Sequence, residues 1–206
     1  MVTTPPSASW ATQLVLRDGT QMLMRRVHPC DETGLFELLT LLSPKSIYLR
    51  FCSGGANLRA AVLDFTRASD ERIGVVACDV TGEIVAHAEY VLTSRSEAEV
   101  AVVVADRLQG RGLAREMLEW LAADAGARGI ERFIASVLPS NASMLRLFKH
   151  AFYARVLEEW PVCELWFPTS ISARERRARP RTVQMRSRRD AHESAPTAPL
   201  PAAHAA

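Results

Sequence analysis

The strongest constraint on the fold is a change of apolar period between residues 99 and 125. Residues 99–104 form a short, almost continuous apolar run, whereas beyond Asp106 the residues Leu113, Met117, Leu118, Leu121 and Ala125 recur at three- and four-residue spacing. The first pattern is that of a buried strand and the second that of a helix with one apolar face. Between them lies Gln109-Gly110-Arg111-Gly112-Leu113-Ala114. A strand that turns through two glycines into such a helix buries the apolar face by laying the helix back on a sheet. Glycines let the backbone approach a ligand closely, and the helix they open offers unpaired N–H groups with a partial positive charge. A diphosphate fits this turn, with Arg111 and Arg115 adding charge-assisted contacts. A tight turn that holds no ligand fits the two glycines equally well.

Around this unit, residues 10–27 alternate apolar and polar about Asp18-Gly19, the pattern of an opening hairpin. A helix is expected from Asp31 through Leu42, stopped at Ser43-Pro44, and a second over 56–65. Strands are expected over 73–80 and 84–92 and again over 133–138, the last following a helix closed by Gly129. Pro139-Ser140-Asn141 leads into a helix through Met144, Leu145 and Phe148, and strands over 154–159 and 163–167 finish the ordered part. The result is an α+β fold: a twisted, mostly antiparallel mixed sheet of about six or seven strands flanked by about four helices.

Charge divides the chain where this pattern ends. Residues 170–206 carry eight arginines against Glu175, Asp190 and Glu193, so a total of +2 conceals a basic tail behind a mildly acidic body. The expected organisation is a flexible leader over 1–10, one domain over 11–168, and a disordered Arg/Ala/Pro-rich tail over 169–206, too poor in large apolar side chains to form a core. A solvated tail is the plainer reading of the arginines around 174–189, and contact with nucleic acid the sharper one. No apolar run reaches the roughly 20 residues that span a bilayer, and the first residues lack a charged stretch followed by an apolar core, so no membrane association and a cytoplasmic location are expected. Cys30, Cys52, Cys78 and Cys163 stand singly, which predicts reduced core residues with neither a zinc site nor a disulfide framework. His28, His87 and His150 have no mutual spacing that suggests a metal or a triad.

The context of the glycine turn resembles the GNAT superfamily of N-acetyltransferases, whose acetyl-CoA motif reads Gln/Arg-x-x-Gly-x-Gly/Ala after an apolar strand; residues 109–114 meet every defined position. Gly-Lys-Ser/Thr is absent and the glycine spacing is not that of a dinucleotide fold. The resemblance covers about residues 15–167 and implies acetyl-CoA as cosubstrate, no metal, and an amine acceptor. Leu42-Ser43-Pro44, Tyr48-Leu49-Arg50-Phe51 and the run 98–104 look like the catalytic module of bacterial protein lysine acetyltransferases, which implies a protein lysine as acceptor. Acetylation of a small amine and non-catalytic sensing of an acyl-CoA are the alternatives.

A lysine amine, with a pKa near 10.4, must lose a proton before it attacks. Glu97 and Glu99 share one face of their strand, and the resemblance implies that Glu99 is the base, with Glu97 its less favoured neighbour. Backbone N–H groups of Val102, Val103 and Val104 can polarise a thioester if this strand is splayed from the next. The resemblance places Gln109, Gly110, Arg111, Gly112, Leu113, Ala114 and Arg115 on the cofactor and Asn141 near its pantetheine arm, although Asn141 is equally a helix N-cap. The tyrosine that many members carry seven residues later, to protonate the leaving thiolate, is Phe148 here, and the usual Gly-Phe pair becomes Phe152-Tyr153. Tyr153 can supply a hydroxyl or serve as packing. Arg50-Phe51 is read as part of the acceptor wall or as a structural anchor. Acceptor choice lies in loops such as 43–58 and 93–97, whose shape the sequence leaves open.

Overall fold

In a computed structural model, residues 11–67, 69–158 and 162–169 are described. The expected leader and the basic tail beyond Thr169 lie outside them. Strands β1 (Ala11–Val15) and β2 (Gln21–Arg26) form the opening hairpin, with Gly19 at a φ of 83° in its turn. Three helices follow: α1 (Glu32–Thr40), α2 (Pro44–Phe51) and α3 (Leu58–Thr66). Then come β3 (Arg72–Cys78), β4 (Ile84–Leu92), β5 (Glu97–Val104), α4 (Leu113–Ala127), β6 (Arg132–Val137), α5 (Ala142–Ala151), β7 (Arg155–Glu158) and β8 (Cys163–Pro168).

The strands form one sheet in the order β1-β2-β3-β4-β5-β6-β8-β7, antiparallel throughout except for β5 beside β6. Among the described residues, eight strands and five α-helices exceed the expected counts by one or two strands and one helix. The extra helix is α2, which the sequence reading replaced by a stop at Ser43-Pro44. Proline is tolerated in a first helical turn, where its missing N–H has no intrahelical use. Here Pro44 opens the helix and the Ser43 hydroxyl caps it by accepting from the Ser46 amide at 3.2 Å.

Each face of the sheet has its own core. Leu118 and Leu121 of α4 pack with Phe133, Phe148 and Phe167 on one face, and Leu35, Leu39, Val62, Phe65 and Val76 gather beneath α1 and α3 on the other. Burying one such leucine contributes about 2 kcal/mol. The cysteines divide: Cys78 and Cys163 are buried as expected, Cys52 is half-buried, and Cys30 is exposed, because it lies in a one-turn helix at the rim.

The feature that shapes the site is the pairing of β5. Beside β6 it is matched only over Glu97, Ala98 and Glu99, opposite Arg132, Phe133 and Ile134. Beyond Glu99, β5 stays on β4 as far as Val104 while β6 runs on with β8, so the two strands diverge.

Candidate active site

The glycine turn closes the wide end of this divergence. Gly110 and Gly112 have φ values of 77° and 96°, in the left-handed region that only glycine enters without strain. Gly112 is the N-cap of α4 and supplies no side-chain cap, leaving the helix start to whatever lies before it. The Gln109 side chain does not project into the opening alone. Its Nε2 donates to the Val104 carbonyl (3.1 Å), to Asp106 (3.1 Å) and to the Ser46 hydroxyl (3.2 Å). Asp106 also accepts from the Ser43 amide at 2.7 Å and from the Ser46 hydroxyl, bonds that hold its carboxyl below the usual carboxylate range, Ser46 first among them. The turn is thereby tied to the N-terminus of α2.

A cleft of about 330 Å³ runs from this turn between β5, α2 and α5. Val102, Val103, Val104, Gln109, Gly110, Gly112, Leu113, Ala114, Arg115 and Asn141 all line it. Of the residues expected on the cofactor, Arg111 is the exception; its guanidinium is held by Asp18 at 2.6 Å, and Arg115 pairs with Glu119 at 2.9 Å. The Ala105 amide donates to Val85 on β4, so strand alternation turns the amides of Val102 and Val104 toward the open side and that of Val103 toward β4. Asn141 both lines the cleft and caps α5, its Oδ1 accepting from the Met144 amide at 3.2 Å.

At the narrow end of the β5–β6 divergence, and not among the residues lining the cleft, Glu99 is exposed on the α2 side of the sheet, whereas Glu97 is bound by Arg132 and Thr93. Between α2 and the sheet lies a network that sequence reasoning missed. The carboxylate of Glu89, 5% exposed, is gripped by Arg50 at 3.0 Å and Arg72 at 2.6 Å. Burial lowers the proton affinity of Arg50, while the charges of Glu89 and Glu99 act to raise it. Beside them His87 is fully buried, stacked on Phe65 at 4.1 Å between ring centres, with no partner among the described residues at either ring nitrogen; burial holds its pKa down to about 4. Phe148 is in the core against Phe152 and Phe167, and Tyr153, at a φ of 54°, lies outside the cleft.

The sequence model of the acetyltransferase (GNAT) family matches residues 43–152, from the cap of α2 to the end of α5. The chain belongs to that family. It is an acyl-CoA-dependent N-acetyltransferase, and the glycine turn, uncapped helix start and cleft fit the acetyl-CoA that the family uses. The GNAT domain of S. lividans PAT superposes with a TM-score of 0.71 at 33% identity, covering 80% of this chain and 99% of that one. Acetyltransferase Pat of Mycolicibacterium smegmatis is 29% identical over 136 residues, 64% of this chain and 41% of the relative, so the chain spans less than half of that protein. A cAMP-binding acyltransferase from Mycobacterium smegmatis shares the fold at a TM-score of 0.57 and 23% identity, covering 79% of this chain and 48% of that one.

Within this acetyltransferase, the residues most visible in sequence are those whose backbone serves the turn. Asp106, Glu89 and Arg72 were not foreseen, because lone charged residues in strands and loops read as solvated; only helix α2, once recognised, brings Ser43, Ser46 and Arg50 onto them. Among the described residues there is no group of three or more His, Cys, Asp or Glu placed to hold a metal, and no helix is long and apolar enough to cross a membrane.

Proposed function

We propose that this acetyltransferase moves acetyl directly from acetyl-CoA to an amine, with a protein lysine as acceptor and Glu99 as general base. The observation that carries this reading is the divergence of β5 from β6 immediately beyond Glu99. It leaves Glu99 as an exposed carboxylate three residues before Val102, which lines the cleft, and turns the Val102 and Val104 amides toward the open side of the strand. Bound acetyl-CoA supplies an activated thioester. Glu99 takes the proton from the incoming ammonium, and the amides of Val102 and Val104 donate toward the carbonyl oxygen, stabilising charge as it develops there. Phe148 has no proton to give, so the sulfur departs as thiolate and is protonated by water.

The protein acceptor is supported by the Tyr48-Leu49-Arg50-Phe51 likeness to protein lysine acetyltransferases and by the openness of this face, where Tyr48 is exposed near the Arg50 wall. We assign residues 11–168 to the catalytic domain and the protein to the cytoplasm.

The test is thiol release from acetyl-CoA with a panel of polyamines, amino acids and lysine-bearing proteins, using the wild type and Glu99→Gln. Loss of the base is expected to lower kcat about 100-fold or more at neutral pH, with KM for acetyl-CoA nearly unchanged. An unchanged kcat rejects Glu99, and turnover confined to small amines rejects the protein acceptor.

A further inference from the structure

The glycine turn is flanked by three arginines, two of which the sequence reading assigned to the cofactor. Those two are already paired with carboxylates. Arg111 is held by Asp18, whose carboxylate is itself steadied by the Thr20 amide at 3.0 Å and the Thr20 hydroxyl at 2.7 Å. Arg115 is held by Glu119, one turn further along α4. The third is Arg17, which comes from the β1–β2 hairpin and was not among the expected site residues.

Three observations single it out. Arg17 lines the cleft together with Gly110 and Gly112. Its Nε lies 3.7 Å from where a Cβ on Gly112 would stand, directly over the start of α4. It is exposed and makes no ion pair or hydrogen bond among the described residues, unlike Arg111 and Arg115. Its backbone is nonetheless well placed: neighbouring Leu16 is buried in the α4 core, its amide bonded to the Thr20 carbonyl at 2.9 Å, and Asp18 is locked to Arg111. The hairpin is therefore fastened to the turn by one salt bridge and one apolar anchor, and the side chain between them is a free guanidinium.

A guanidinium without a carboxylate, held over an uncapped helix start, is suited to the two singly charged phosphoryl groups of a diphosphate. We propose that Arg17 is a cofactor-binding residue that contacts the diphosphate of the acyl-CoA, and that the Asp18–Arg111 pair positions the hairpin for that contact instead of binding phosphate itself. This rests on the acetyl-CoA reading of the cleft and assigns within it a residue outside the 109–114 motif. Its sequence neighbour Asp18 is already engaged by Arg111 and Thr20.

The experiment titrates CoA and dephospho-CoA calorimetrically into the full chain and into Arg17→Met and Arg17→Lys. Arg17→Met is expected to weaken CoA about tenfold or more, equally for dephospho-CoA because the diphosphate is common to both, with Tm unchanged since the side chain is exposed and unpaired. The gap is expected to narrow as salt rises, and Arg17→Lys to recover part of it. A CoA affinity within about twofold of wild type overturns the proposal, as does a penalty that vanishes with dephospho-CoA, which would put the arginine on the 3′-phosphate. Wild-type protein that takes up no CoA would instead fail the cofactor reading, and this proposal with it.

Discussion

Strand β4 is buried on both sides, yet its two faces bury opposite things. Ala86, Ala88 and Tyr90 lie in the apolar core beneath α4, where the one polar atom, the Tyr90 hydroxyl, donates to Asp124 at 2.8 Å. His87 and Glu89 point the other way, into a layer containing Arg50 and Arg72. The first face is the kind that drives folding, because apolar area is removed from water at little polar cost. The second costs stability to build, since buried ions repay desolvation only when fully paired. What the contrast teaches is that the charged layer sits where α2 meets β5, next to Glu99: the part of the sheet that is dearest to form is the part that faces the proposed acceptor.

The largest test of that contrast is Glu89→Gln, which leaves Arg50 and Arg72 without their carboxylate. A loss of about 3–5 kcal/mol in urea unfolding is expected; a loss below about 1 kcal/mol would mean that the two faces do not differ in the way described.

A smaller effect comes from His87. Its pKa of about 4 lies below the 6.5 of an open imidazole, so between those values the unfolded chain binds a proton that the folded one refuses. Its share of stability is intact above pH 6.5 and is lost as pH falls toward 4, amounting to about 2–3 kcal/mol at pH 4.5. Comparing unfolding of wild type and His87→Leu at pH 7 and 4.5 isolates this slope: the leucine variant should lose less on acidification, and equal losses would refute a buried neutral imidazole.

The smallest expected change lies on the apolar face. Tyr90→Phe removes the hydroxyl from Asp124, which keeps Arg26 at 2.7 Å and Arg128 at 2.9 Å. A cost of about 1.5 kcal/mol is expected, read as a modest drop in the urea midpoint. A cost matching that of Glu89→Gln would erase the distinction between the faces.

The same strand explains what was legible in the sequence. Apolar periodicity located β4 at Ile84–Leu92, the helix after the glycine turn and the hairpin, because each carries its own local signal. Alternation in β4, however, reads His87 and Glu89 as facing water. Only a covering layer makes them buried, and α2, part of that layer, was hidden by reading Pro44 as an end and not a beginning. The glycine turn was legible for a similar reason: its φ values are a property of its own residues. Asp106, Arg17 and the Glu89 network were not, since each acquires its surroundings from segments tens of residues away.

Helix α2 is fastened at both ends, to Asp106 through Ser43 and Ser46 and to Glu89 through Arg50. Its eight residues span about 12 Å at 1.5 Å per residue. It therefore acts as a ruler laid along the cleft: the separation between the glycine turn and the Glu89 network is set by helical rise, not by loop length. The segment between α2 and α3 can vary in length and shape without altering the spacing between those two anchor points.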